Sequence, residues 1–196
     1  INEDGSIFHL HIRPEHLADK VILVGDQGRV DMVASFFDEG SIECDIQSRE
    51  FHTITGKYHG KRISCISTGI GTDNCDIVLN ELDALANIDF ETREVKPEHR
   101  TLNILRIGTS GAIQPEIPLG SFVFSHISVG CDGLMNWYAD REKIAMLDIE
   151  EAFKAHTGWN KHLPDPYFVR AGEKMSKLFR DCTVPGMTIA ASGFYG

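Results

Sequence analysis

The chain has 196 residues, with 19 Lys+Arg against 29 Asp+Glu, a formal net charge of -10 and 42% hydrophobic residues. That length suits one domain able to bury about 70% of its unfolded surface, and the composition is too apolar for disorder and too varied for a fibre. No run approaches the ~18 uninterrupted apolar residues of a membrane helix, and an acidic chain without a Lys/Arg block suits neither nucleic acid nor an anionic membrane.

Ile1 to Leu10 has no basic segment followed by an apolar one, so it does not read as a signal peptide. Gly196 falls within a Gly/aromatic stretch and does not read as a natural C-terminus. The five cysteines (Cys44, Cys65, Cys75, Cys131, Cys182) are odd in number and contain no C-x-x-C pair. This argues against a disulfide framework or a zinc site and for a reducing compartment, so a cytoplasmic location is expected.

In chain order, Val21-Ile22-Leu23-Val24 is an apolar, β-branched run suited to a strand buried on both faces. The turn Gly25-Asp26-Gln27-Gly28-Arg29 follows, and Val30, Val33, Ala34 and Phe37 then keep the spacing of a helix with one buried face. The pattern recurs: Arg62 to Ser67 predicts a strand, Thr68 to Asp73 a Gly-rich turn, and Val78, Leu79, Leu82, Leu85 and Ala86 a helical face with Thr72 or Asp73 as N-cap. His52 and His59 fall in a β-like region, and the charged stretch 89–100 with Pro97 reads as a solvated loop. Leu102 to Ile107 predicts a strand ending in Gly108-Thr109-Ser110-Gly111, and Phe122 to Val129 another. Helices are expected around Ile144, Leu147 and Glu151 and around Met175, Leu178 and Phe179, then a strand from Met187 to Ala191 running into Ser192-Gly193.

This alternation predicts an α/β fold, a mostly parallel sheet with helices on both faces, and ligands at the carboxyl ends of its strands. Four strand ends carry Gly-rich turns, and four on one sheet edge read as a site. Gly25 to Arg29 opens a helix, where free N–H groups and the dipole favour an anion, and Arg29 adds a fork suited to phosphate. It is neither a Walker A loop nor a G-x-G-x-x-G fingerprint, which counts against ATP and NAD. Arg106 stands inside Ile104-Leu105-Arg106-Ile107, where burial should exclude a charge unless it has an anionic partner or ligand. His9, His11 and His16 have no metal-cage spacing, so no metal is expected; Phe194-Tyr195 could stack a planar ligand. Nothing supplies a nucleophile elbow or a Cys/His pair, so catalysis would work by positioning and electrostatics.

Phe8-His9-Leu10, Gly25 to Val30, Ser48-Arg49-Glu50-Phe51, Ser67-Thr68-Gly69-Ile70-Gly71 and Leu105-Arg106-Ile107-Gly108-Thr109-Ser110-Gly111-Ala112-Ile113-Gln114 occur in this order. Together, from residue 8 to the chain end, they resemble the nucleoside phosphorylase family that includes uridine phosphorylase and the hexameric purine nucleoside phosphorylases, with uridine phosphorylase the nearer pattern. The resemblance implies a single-domain phosphorylase/hydrolase-like α/β fold over residues 1–196, with a mixed, mostly parallel twisted sheet flanked by helices. It also implies phosphorolysis: nucleoside plus phosphate gives free base plus ribose 1-phosphate. Gly25, Arg29, Arg106 and Thr109 would bind phosphate, joined by Arg49 from a neighbouring subunit. Arg106, Arg29 and Arg49 would be the catalytic set. His9, also from the neighbour, would touch the ribose 5′-hydroxyl, and Thr109 and Phe194 would complete the nucleoside contacts.

A homo-dimer or hexamer with shared sites is therefore expected, with inorganic phosphate as co-substrate and no other cofactor. Glu50 with the Ile70 region matches where some members hold a monovalent cation, although Asn74 stands where a Ser would be expected. The chain ends before the family's Gln/Arg base-recognition segment and Glu-Met-Glu motif, so the C-terminal part of the family domain is expected to be missing. Segment 89–100 reads as an insertion. A purine nucleoside phosphorylase, an AMP nucleosidase and a non-catalytic nucleoside- or phosphate-binding protein are the alternatives.

Overall fold

The computed structural model describes residues 1–193, so Phe194 and Tyr195 lie outside the described residues. Two compact units follow one another along the chain, Ile1–Thr109 and Ser110–Gly196. The first is built on a five-stranded sheet of β1 (Lys20–Val24), β2 (Cys44–Ser48), β3 (Phe51–Tyr58), β4 (Lys61–Ser67) and β5 (Asn103–Arg106), in the order β2-β3-β4-β1-β5. Central β1 runs parallel to β4 and β5, whereas β2, β3 and β4 form an antiparallel meander.

Alternation along β1 explains why its sequence is apolar throughout. Val21 and Leu23 enter one core with Ile66, while Val24 and the half-buried Ile22 enter another with Ile54 and Cys65. Helix α1 (Gln27–Ala34) closes the second core with Val30, and the predicted face of Val33, Ala34 and Phe37 packs there too. Helix α2 (Thr72–Asn87) closes the first with Val78, Leu82 and Leu85, joined by Leu10, Ile12 and Leu17. The predicted α2 face is rotated slightly: Leu79 is 45% exposed. Its N-cap is Gly71 at φ 104, not Thr72 or Asp73, and no side chain caps the helix. The charged 89–100 segment is ordered, bridging Val95 back to Ile88 and tying Arg100 to Asp19 at 2.6 Å.

The second unit holds β6 (Val123–Gly130), β7 (Tyr167–Arg170) and β8 (Val184–Ala190), in the order β7-β6-β8, with β6 antiparallel to β7 and parallel to β8. Helices α3 (Leu147–Thr157) and α4 (Glu173–Phe179) fall where the spacing predicts them. Ile127, Val129 and Phe168 pack with Ile149 and Phe153 of α3. The sheet structure is mixed, as the resemblance implies, but less parallel than expected: among the described residues three strand pairings are parallel and three antiparallel, with β2 and β7, unanticipated from sequence, as antiparallel neighbours. Among the described residues no helix is long and apolar enough to cross a membrane.

Candidate functional site

Three of the four Gly-rich turns leave the same edge of the five-stranded sheet. Val24 lies beside Ser67 and Leu23 beside Arg106, so β4, β1 and β5 end level. The Thr68 N–H donates to the Val24 carbonyl at 2.7 Å and the Ile107 N–H to Leu23 at 2.8 Å, extending the ladders into the turns. The fourth turn, Ser192-Gly193, follows β8, a strand of the other sheet, so four turns on one sheet edge is corrected to three.

Glycine makes room at this edge for one side chain. A β-carbon on Gly25 would lie 3.8 Å from the Gly69 carbonyl and 4.0 Å from Arg106 Nη2, and one on Gly108 would lie 2.5 Å from Arg106 Nη1. The Arg106 guanidinium is therefore folded back between the β1 and β5 turns. Its burial differs from the expectation. β5 is an edge strand, and Arg106, at its last position, is exposed. Its charge needs no buried partner, and among the described residues it has no ion pair.

Three other arginines do hold carboxylates: Arg62 holds Glu43 at 2.6 Å, Arg100 holds Asp19 at 2.6 Å and Arg141 holds Glu150 at 2.8 Å. Arg29, half-buried in the first turn of α1, likewise has no ion pair among the described residues. The α1 N-cap, Asp26, makes no side-chain cap hydrogen bond, leaving first-turn amides for another acceptor, although its carboxylate also stands against Gly28. Thr109 is exposed just beyond Gly108, and no hydrogen bond joins it to these groups among the described residues.

A second cluster gathers His9 and Arg49. Arg49 and Glu50 form the two-residue loop between β2 and β3, and Arg49 sits at φ 55, a left-handed conformation uncommon outside glycine. The Gln27 side chain holds this loop by donating to the Arg49 carbonyl at 3.0 Å, tying it to the start of α1. The Arg49 guanidinium lies over the Phe8 ring, 5.6 Å from its centre, and that ring meets the His9 ring edge-on at 4.8 Å.

Glu81 of α2, which sequence reasoning missed, anchors the segment. Its carboxylate accepts the His9 N–H at 2.9 Å and the Leu10 N–H at 2.9 Å, and contacts His9 Nδ1 at 2.7 Å. A signal was present: Glu81 follows Val78 by three residues and precedes Leu85 by four, placing a carboxylate on the stripe that faces the core.

Glu50 and Asn74 converge on Gly69, where a β-carbon would lie 3.1 Å from Glu50 Cγ and 2.7 Å from Asn74 Nδ2. Asn74 Nδ2 also donates to the Ile70 carbonyl at 3.4 Å. All five cysteines are free, and burial pushes the Cys65 thiol up to about 12 and the Cys44 thiol up to about 11, far from nucleophilic use.

The family model of the Phosphorylase superfamily matches residues 19–196. The uridine phosphorylase of Thermococcus kodakarensis is 34% identical over 148 residues, 76% of this chain and 48% of that protein. A purine nucleoside phosphorylase of Alkaliphilus metalliredigens is 33% identical over 128 residues, covering 65% and 48%. The chain thus spans about half the length of the curated relatives it matches. Among solved structures, a Trypanosoma brucei nucleoside phosphorylase described as showing uridine phosphorylase activity superposes with a TM-score of 0.86 at 30% identity, covering 100% of this chain and 69% of that one. With this match over nearly its whole length, and with three glycine turns on one sheet edge, the chain belongs to the phosphorylase superfamily.

Proposed function

We propose that the full-length protein is a nucleoside phosphorylase of the uridine phosphorylase kind, cleaving the N-glycosidic bond with phosphate to give free base and ribose 1-phosphate. The observation that carries this reading is the Arg106 guanidinium, unpaired among the described residues and folded between Gly25 and Gly108. In a chain of net charge -10, a cation kept clear of carboxylates beside a helix N-terminus is suited to an oxyanion.

Phosphate would be held by Arg106, Arg29 with the Gly25 turn, and Thr109, the last contributing its hydroxyl. Arg49 would reach the same phosphate from a neighbouring subunit, and His9 would come with it, because both belong to one cluster on Phe8. As the glycosidic bond breaks, its electron pair leaves with the base and C1′ becomes oxocarbenium-like. A phosphate fixed on the opposite face stabilises that charge and is already placed to form the new C–O bond. The protein's groups thus act by electrostatics and position, with no covalent intermediate. Phe194 would lie against the base. The shared site makes the working unit a homo-dimer or hexamer, and the free thiols suit the cytoplasm.

A second reading is favoured by the relative at 33% identity named as a purine nucleoside phosphorylase. An AMP nucleosidase would use the same arginines for the substrate's own phosphate. The test is base release from uridine, inosine and AMP by the full-length protein, with and without phosphate. Phosphate-dependent release from uridine is expected; release from inosine alone supports the purine reading. Release from AMP without phosphate overturns phosphorolysis, and binding without turnover makes it a binding protein.

A further inference from the structure

Glu81 is spent on a single loop. We infer that it is a positioning residue that sets the tautomer of His9, so that the ribose 5′ position accepts a hydroxyl and refuses a 5′-phosphate. This rests on the reading above, in which His9 meets the ribose 5′-hydroxyl.

The Glu81 side chain is 12% exposed, and its carboxylate meets nitrogens of the His9–Leu10 segment. Oε1 accepts the His9 N–H at 2.9 Å and lies 2.7 Å from His9 Nδ1; Oε2 accepts the Leu10 N–H at 2.9 Å and the His9 N–H at 3.2 Å. Backbone amides only donate and an ionised carboxylate only accepts, so the ring nitrogen facing it must carry a proton. In the neutral ring Nε2 is then a bare lone pair, and it makes no hydrogen bond among the described residues. The Phe8 ring, edge-on at 4.8 Å, and the anchored backbone fix the direction of that lone pair.

A bare nitrogen accepts from a hydroxyl. It offers nothing to a phosphate dianion, whose oxygens also accept, and the Glu81 charge behind the ring adds repulsion. The same arrangement separates a nucleoside site from a nucleotide site: an enzyme acting on a 5′-phosphorylated substrate needs a donor here. The hydrogen bonds of Glu81 thus translate a choice of ring proton into a choice of substrate class.

The test uses the full-length protein and Glu81→Gln, with the nucleoside that the wild type cleaves, its 5′-deoxy analogue and its 5′-phosphate. Gln keeps the shape but turns an NH2 towards groups that need an acceptor. In the wild type, removal of the 5′-hydroxyl is expected to lower kcat/KM about tenfold, mostly through KM, as fits one hydrogen bond. In Glu81→Gln that ratio is expected to fall within about twofold of unity, with discrimination against the 5′-phosphate reduced. A merely structural role lowers both nucleosides alike and leaves the ratio untouched, and that result would overturn the inference.

Because Glu81→Gln could also loosen the loop, the His9 ring of the wild type is read by ¹⁵N–¹H correlation at pH 8.5. A proton on Nδ1 with Nε2 bare is expected; a proton on Nε2, or on both nitrogens, overturns the inference without any variant. Absence of turnover by the wild type with every nucleoside overturns the phosphorylase reading instead, and the selection of a hydroxyl with it.

Discussion

Replacing Gly108 by Ala tests the site through one atom. The new β-carbon would lie 2.5 Å from Arg106 Nη1 and 3.4 Å from Cζ, against an ordinary contact of roughly 3.5 Å, so the guanidinium must move by about 1 Å. Gly108 is not among the glycines with positive φ, so Ala fits its backbone, and the obstructing atom is the end of a flexible, exposed side chain. Folding stability should therefore stay level or rise by up to about 1 kcal/mol, because Ala restricts the unfolded chain. Phosphate handling should suffer. A displacement of 1 Å can cost about 100-fold in rate, and a lost charge-assisted hydrogen bond about 1.5–3 kcal/mol, or ~10–150-fold. Initial rates against phosphate concentration at fixed nucleoside would measure this, beside thermal melts of the same samples. If the effect runs through the guanidinium, Gly108→Ala added to Arg106→Ala should cost nothing more. A phosphate KM within twofold of wild type in a folded Gly108→Ala protein would refute the placement of Arg106 at the anion.

Three further perturbations probe the scaffold. Leu82→Ala, at a fully buried site, should cost about 2–5 kcal/mol in urea denaturation, and Leu79→Ala, 45% exposed, much less; equal costs would refute the orientation of α2. Arg141→Ala strands the Glu150 carboxylate, 4% exposed, and should cost about 3–5 kcal/mol, whereas Arg141→Met with Glu150→Leu should recover most of it; a single-variant loss below about 1 kcal/mol would show the pair to be solvated. The Cys65 thiol stays protonated to about 12 in the fold, against an ordinary 9.0, so between those values the folded state binds more protons and stability falls by about 1.4 kcal/mol per pH unit. Cys65→Ala should give a shallower fall from pH 9 to pH 11, and identical slopes would remove this thiol from the alkaline transition.

The first β-α unit was legible because its signal is local: four apolar residues, a glycine turn, then helical spacing predict β1 nearly to the residue and α1 with ends about three residues late, since the helix runs Gln27–Ala34 and Phe37 lies beyond it. α2 was legible for the same reason, yet its N-terminus was not. A left-handed Gly71 starts the helix without a capping side chain, and the side-chain rule has no purchase there. β2 escaped because it carries polar residues in an edge strand whose one buried residue is Cys44; pairing with β3, not its own pattern, makes it a strand. Burial of Arg106 was misjudged on similar grounds. The sequence of β5 reads as a core strand, but its place in the sheet order puts it at an edge. Both errors concern which strand neighbours which, and that information lies in contacts distant along the chain.

The charge distribution connects those levels. Among the described residues Arg62, Arg100 and Arg141 each hold a carboxylate within 2.8 Å. Arg106 and Arg29 do not among the described residues, although Glu50 and Asp26 stand at the neighbouring turns. Glu50 approaches Gly69 through its Cβ and Cγ and the Asp26 carboxylate stands beside Gly28, and neither is ion-paired with Arg106 or Arg29 among the described residues. A neutralised pair at this edge would contribute about 0–1 kcal/mol to folding, whereas an open guanidinium keeps its full attraction for an incoming anion. The glycines at this edge therefore admit the Arg106 side chain between the turns and leave its charge open to the anion.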